Sequence, residues 1–240
     1  MTSFLPLLAA VPPASGEIAK PILILFVLAI LSLAPFFMMM ITSFVKIAVV
    51  FSLIRSALGL QQIPPNTVIT GLALILSIYV MAPVGEKVYD KVQTTMQAPD
   101  SESEILSTQT IDTLKTAIEA GKEPLRDFLV KNTSDKDRAI FYSLANDIRG
   151  ANKENAPAPD DFRVVVPAFV VTELTEAFWM GFVIFLPFLA IDMVVSNILL
   201  AMGMFMVSPV TIALPFKLLL SVLVDGWTTI TKNLIQGYAH

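Results

Sequence analysis

Glu173 and Glu176 sit three residues apart in Glu173-Leu174-Thr175-Glu176, a spacing that puts two carboxylates on one face of a helix. Such a pair can relay a proton, but helix capping or a subunit contact explains it more cheaply. Asp192 and Lys217 each interrupt an otherwise uncharged stretch, and their signs are opposite. A charged side chain at a bilayer centre costs from about 2.5 kcal/mol upward, so both need a partner, water or a path to the headgroups. Lys46 and Arg55 raise the same demand in the first half of the chain. Other chemistry lacks its residues. The single histidine is His240, there is no cysteine, and neither a Ser-Lys arrangement nor a glycine-rich phosphate loop occurs. Thiol catalysis, thiolate metal sites and nucleotide cradles are thereby excluded. The expectation is a protein without catalytic residues, cofactor or metal.

The elements that must position these charges are apolar. Hydrophobic residues make up 55% of the 240, and the mean hydropathy is +0.72, above what a soluble domain of this length carries. This is the composition of a membrane protein. A net charge of −4 offers no polybasic surface for nucleic acid. Of the 36 charged residues, 26 lie between Glu86 and Arg163. The chain therefore reads as an all-α membrane protein in three parts. Residues 1–85 are a leader and apolar helices, 86–163 a polar, mostly helical insert, and 164–240 an apolar helical hairpin with a methionine-rich turn.

In the first part, residues 5–11 form a short apolar run with no basic residue before Lys20, which reads as an uncleaved leader. Helices are expected at 21–41, 43–58 and 67–84. The break between the second and third is a hinge, Gln61, Gln62, Pro64 and Pro65, because each proline drives the residue before it out of helical geometry. Asn66 is the expected cap of the next helix. Within the insert, apolar residues recur at helical spacing through Ile118, again after Pro124, and in a third short helix at 135–145. Residues 152–161 read as a linker. In the last part, two helices are joined by residues 202–209, where Gly203 and Pro209 interrupt the apolar run. If that turn folds the helices together, Asp192 and Lys217 meet within one subunit or across neighbours. From the residues alone, an ion-coupled transporter that uses Glu173, Glu176 and Asp192 as its relay is a competing expectation.

Several blocks resemble one family. They are Thr42-Ser43-Phe44-Val45-Lys46-Ile47, Arg55-Ser56-Ala57-Leu58-Gly59-Leu60-Gln61-Gln62-Ile63-Pro64-Pro65-Asn66, Val166-Pro167-Ala168-Phe169 through Glu173-Leu174, Phe185-Leu186-Pro187-Phe188 with Ile191-Asp192, Leu214-Pro215-Phe216-Lys217-Leu218, and Val224-Asp225-Gly226-Trp227. In that order they are similar to the FliP/SctR export-gate subunits of bacterial type III secretion. Lys46, Val50-Phe51-Ser52-Leu53 and Ser196-Asn197 resemble the injectisome branch more than the flagellar one.

The resemblance implies a multi-pass protein of the bacterial inner membrane, with its insert outside the cytoplasm and the assembled gate at the periplasmic level of the secretion basal body. It implies a ring of about five copies. The implied partners are small Q/S-type and R/T-type membrane subunits, a U-type switch subunit, membrane lipid and secreted unfolded proteins. It further places Met202, Met204, Phe205 and Met206 in a pore gasket, with phenylalanine where the family usually carries methionine. Asp192 and Lys217 fall at intersubunit charged positions, and Lys46, Arg55, Glu173 and Glu176 are expected to be buried.

Overall fold

The computed structural model describes residues 19–60, 62–95, 108–149 and 157–239. The expected leader, Gln61, His240 and the first half of the expected linker lie outside the described residues. Every regular element among the described residues is a helix, which makes the protein all-α. Two compact units result, Met1–Met39 and Met40–His240. The first carries α1 (Ala19–Met40), an apolar helix of 22 residues with Leu25, Leu31, Phe36 and Phe37 exposed.

The second unit begins with α2 (Phe44–Ala57), whose side chains form its centre. Ile47, Val50, Phe51 and Ile54 are buried together with Ile69, Ala73, Ala177, Phe188 and Leu234 from later helices. The approach of α2 to the long helix α6 (Phe162–Ala201) depends on Gly181. A Cβ there would stand 3.1 Å from Leu53 Cβ and collide with the end of that side chain. α2 ends as its residues require: Gly59, at φ 78°, donates its N–H to Ser56 O while Leu60 N–H reaches Arg55 O, two bonds that close the helix. Pro64 and Pro65 then keep the chain out of helical geometry until α3 (Asn66–Thr95). Asn66 is the first helical residue and not a cap, because Pro65 O already accepts from Val68 N–H at 3.0 Å.

Three expectations about helix extent are corrected. α3 does not stop near Val84 but runs on through its polar residues, passing Pro83. A proline's fixed φ is itself helical, and the polar end is docked: Lys91 pairs with Glu123 and Val88 lies over Gly121 of α4 (Thr108–Lys131). α4 likewise continues through Pro124 as one helix where a break was expected. Beyond α7 (Pro209–Leu223) a further helix, α8 (Gly226–Gln236), turns away at 57°. Its corner is Asp225, at φ 50°, followed by Gly226, where a Cβ would press to 3.1 Å of Ser221 O. The expected hairpin is thus a three-helix segment.

α3 and α6 are each long and apolar enough to cross a membrane, and the bent pair α7 and α8 is so when taken together. At 40 residues α6 is about 60 Å long, about twice the hydrocarbon thickness, so only part of it can lie in lipid. Its first third is covered by the insert, with Val165 and Phe169 buried against Phe128 and Leu129 of α4. α5 (Asp135–Arg149) is fastened to the same stretch, where Thr172 Oγ1 donates to Asp137 Oδ2 at 2.7 Å and accepts from Ser134 N–H at 3.2 Å. Beyond it, Phe178, Trp179, Phe182, Leu186 and Met193 stand exposed.

Candidate functional site

Three assemblies hold most of the residues singled out by sequence. The first is a charged cluster where α2 meets α6. Lys46 is buried, and its ammonium group pairs with Glu176 and lies 3.7 Å from Glu173 Oε1. Glu173 is only 1% exposed, and its other oxygen, Oε2, accepts from the Tyr238 hydroxyl. Burial, then the Glu173 carboxylate, pushes the Tyr238 hydroxyl well above its ordinary value, so it stays a donor. The Lys46 ammonium also lies 4.8 Å from the centre of the Tyr238 ring. Glu176 corrects its expectation: it is half exposed, because it faces outward at the edge of α6 and only its carboxylate turns back to Lys46. Arg55 is half-buried and serves the hinge instead of a carboxylate. Its Nη1 donates to Pro64 O at 3.2 Å and to Asn66 Oδ1. Gln62 and Pro65 project outward, and Pro64 is half-buried.

The second assembly lies farther along α6. Lys217 Nζ, buried on α7, donates to Asp192 Oδ2 at 2.6 Å and to Ala57 O at 3.2 Å. The expected intersubunit pair is therefore closed within one chain, because α7 folds back along α6 and brings the two side chains face to face. The other oxygen, Asp192 Oδ1, is buried and has no hydrogen-bond partner among the described residues. It borders a recess lined by Met193, Ser196, Asn197 and Pro209.

The third is the turn between α6 and α7. α6 closes as α2 does: Gly203, at φ 73°, donates to Leu200 O, and Met204 N–H reaches Leu199 O at 2.9 Å. Ser208 is extended and Pro209 opens α7, where its missing N–H costs nothing. Beneath the turn, Val195, Leu199 and Ala213 form a small core with Val207. Above it, Met202, Met204, Phe205 and Met206 point away, with Phe205 77% exposed and Met206 fully so. Four large apolar side chains thus stand uncovered on the hairpin tip among the described residues.

Of the acidic residues of the competing relay, Glu173 and Glu176 meet at Lys46 but Asp192 does not join them. Glu176 and Asp192 are on one helix, and 16 residues of rise separate them by about 24 Å. Tyr238 escaped the sequence reading, as did the hydroxyl chain in which Ser43 donates to Ser77 and Ser77 to Thr42. A phenol 65 residues from its carboxylate leaves no local spacing to detect.

An apolar helical bundle with two internal lysine ion pairs and a bare apolar hairpin tip defines an all-α membrane protein. Among the described residues, no acidic or histidine cluster could hold a metal. The chain belongs to the FliP family, whose model matches residues 27–234. It is similar to the Yop proteins translocation protein R of Yersinia pestis, with 46% identity over 222 residues, 92% of this chain and 98% of that protein. It is similar to the hypersensitivity response secretion protein HrcR of Ralstonia nicotianae, with 40% identity over 215 residues, 89% of this chain and 96% of that protein. The flagellar biosynthetic protein FliP of Pectobacterium carotovorum subsp. carotovorum is 44% identical over 216 residues, 89% of this chain but 77% of that protein. The match thus takes in nearly the whole of the translocation and secretion relatives and 77% of this flagellar one.

Proposed function

We propose that the chain is a core subunit of a type III protein-secretion export gate of the injectisome branch. About five copies form a ring around a channel for unfolded effector, needle and rod proteins. Small Q/S-type and R/T-type membrane subunits and a U-type switch subunit complete the gate. It resides in the bacterial inner membrane, with the assembled ring reaching the periplasmic level of the basal body and the insert outside the cytoplasm. The role is structural and not enzymatic.

The observation that carries this reading is the hairpin tip. Met202, Met204, Phe205 and Met206 would be costly to leave in water, and the described residues of their own chain do not cover them. Copies arranged around an axis would bury them against one another. Methionine has three flexible torsions and a polarisable sulfur, so such a ring closes against ions by excluding water and still yields to a passing polypeptide of any sequence. Phe205 adds a stiffer ring to that closure. The free oxygen Asp192 Oδ1 supports contact with a neighbouring copy, since a donor from outside would satisfy it while Lys217 keeps Oδ2.

Replacing Met204, Phe205 and Met206 with glycine tests the gasket. Cells containing the assembled complex should leak small ions, and an unchanged leak refutes it. Native mass spectrometry of the detergent-extracted protein, alone and with its small membrane partners, tests the ring. A monomer indifferent to those partners would remove the export gate from consideration.

A further inference from the structure

Tyr238 lies past the end of α8 and beyond the 27–234 stretch that matches the family model, so membership in the family assigns it nothing. Three separate elements meet on it. Its hydroxyl donates to Glu173 Oε2 of α6. Its ring stacks on Phe128 of α4, with centroids 6.1 Å apart and planes 18° from parallel. The Lys46 ammonium of α2 lies over the same ring at 4.8 Å. Phe128 in turn packs on Phe169 of α6 at 5.9 Å, and this aromatic group belongs to the small core by which the insert sits on the bundle.

We propose that Tyr238 is a positioning residue that fixes where the polar insert docks on the membrane bundle. Its ring and hydroxyl act as one clasp between Phe128 of α4 and the Lys46–Glu173 pair. The two halves of the side chain contribute separately. The ring supplies stacking and a surface for the ammonium. The hydroxyl holds the Glu173 carboxylate at a fixed angle, which keeps Oε1 turned toward Lys46. A phenylalanine would retain the first half and lose the second. The clasp rests on contacts inside this chain and not on the export-gate reading.

Hydrogen–deuterium exchange of the full chain in detergent tests it, comparing segment 125–133 at the docked end of α4 with segment 192–217 across the α6–α7 hairpin. One aromatic pair plus one hydrogen bond corresponds to about a tenfold change in local opening. Tyr238→Ala should speed exchange by about that factor in 125–133 and leave 192–217 as it was. Tyr238→Phe should give about a threefold change, and adding Glu173→Leu, which removes the acceptor, to Tyr238→Phe should speed that segment less than the two single changes multiplied together. If Tyr238→Ala does not fold, Tyr238→Leu removes the same stacking and hydroxyl while keeping volume. Unchanged exchange in 125–133, or equal acceleration in both segments, overturns the clasp. Strict multiplicativity of Tyr238→Phe and Glu173→Leu overturns the hydroxyl half of it.

Discussion

Lys46 and Lys217 are both buried, and both are answered by carboxylates of α6, yet they are satisfied differently. Lys46 meets two carboxylates and an aromatic face, and the more buried carboxylate has its own phenol donor. That cluster is closed: the oxygens of Glu173 both face partners supplied by the same chain. Lys217 meets one carboxylate oxygen and one backbone carbonyl, and the remaining oxygen of Asp192 has no partner among the described residues. An unsatisfied buried oxygen costs about 1–3 kcal/mol, which a self-contained fold would be expected to avoid. The difference separates a lysine whose carboxylate partners are fully engaged from one whose carboxylate keeps an oxygen open to a further donor. It also matches location, since the closed cluster lies under the insert and the open one lies toward the bare hairpin tip.

Asp192→Ala should break the comparison most. It leaves the Lys217 ammonium buried with only Ala57 O, and uncompensated charges of this kind cost about 3–5 kcal/mol. Thermal unfolding in detergent should show that loss, and ring assembly should fall with it. Adding Lys217→Ala to Asp192→Ala should restore part of the stability, because the pair then disappears together. Additive losses would mean that the two residues act separately. Glu173→Gln should cost less, about 1–3 kcal/mol, since Lys46 keeps Glu176 and an amide oxygen still accepts from Tyr238. Glu176→Ala should cost about 1 kcal/mol or less, because its carboxylate is half exposed. A Glu176 effect larger than that of Glu173 would reverse the assignment of which carboxylate anchors Lys46.

Much of this arrangement was legible in the residues, and the parts that were not share physical causes. The Pro64-Pro65 break, the turn at 202–209 and the meeting of Asp192 with Lys217 follow from proline geometry, from a glycine suited to positive φ and from the cost of lone charges in apolar sequence. The continuations of α3 past Val84 and of α4 past Pro124 were hidden because a proline predicts a break more often than tertiary docking permits one. α8 was hidden by Thr228, Thr229, Ile230 and Thr231, β-branched residues that lower helix propensity until packing of Leu234 overrides it. Tyr238 was invisible for another reason. Its partners come from three distant parts of the chain, and contacts of that range leave no periodicity.

A third lysine pair shows what solvent does to the same chemistry. Lys91 and Glu123 join α3 to α4 with both side chains about half exposed. The hydrogen bond from Lys91, then its charge, holds the Glu123 carboxyl below its ordinary value of 4.5. A carboxyl lowered in the folded state stabilises above its unfolded value and loses that contribution as pH falls through the lowered folded one. The docking of α3 on α4 should therefore be steady from neutrality down to about 4.5 and weaken only below it. Hydrogen exchange in α4, compared with Glu123→Gln across that range, should show two traces that are separate at neutral pH and converge in acid. Added salt should narrow the gap at neutral pH, since exposed charges are screened where the buried lysines are not. Traces that coincided even at neutral pH would mean that Lys91 docks the helix through its aliphatic stem and not its charge, leaving Lys46 and Lys217 as the lysines whose charge shapes the fold.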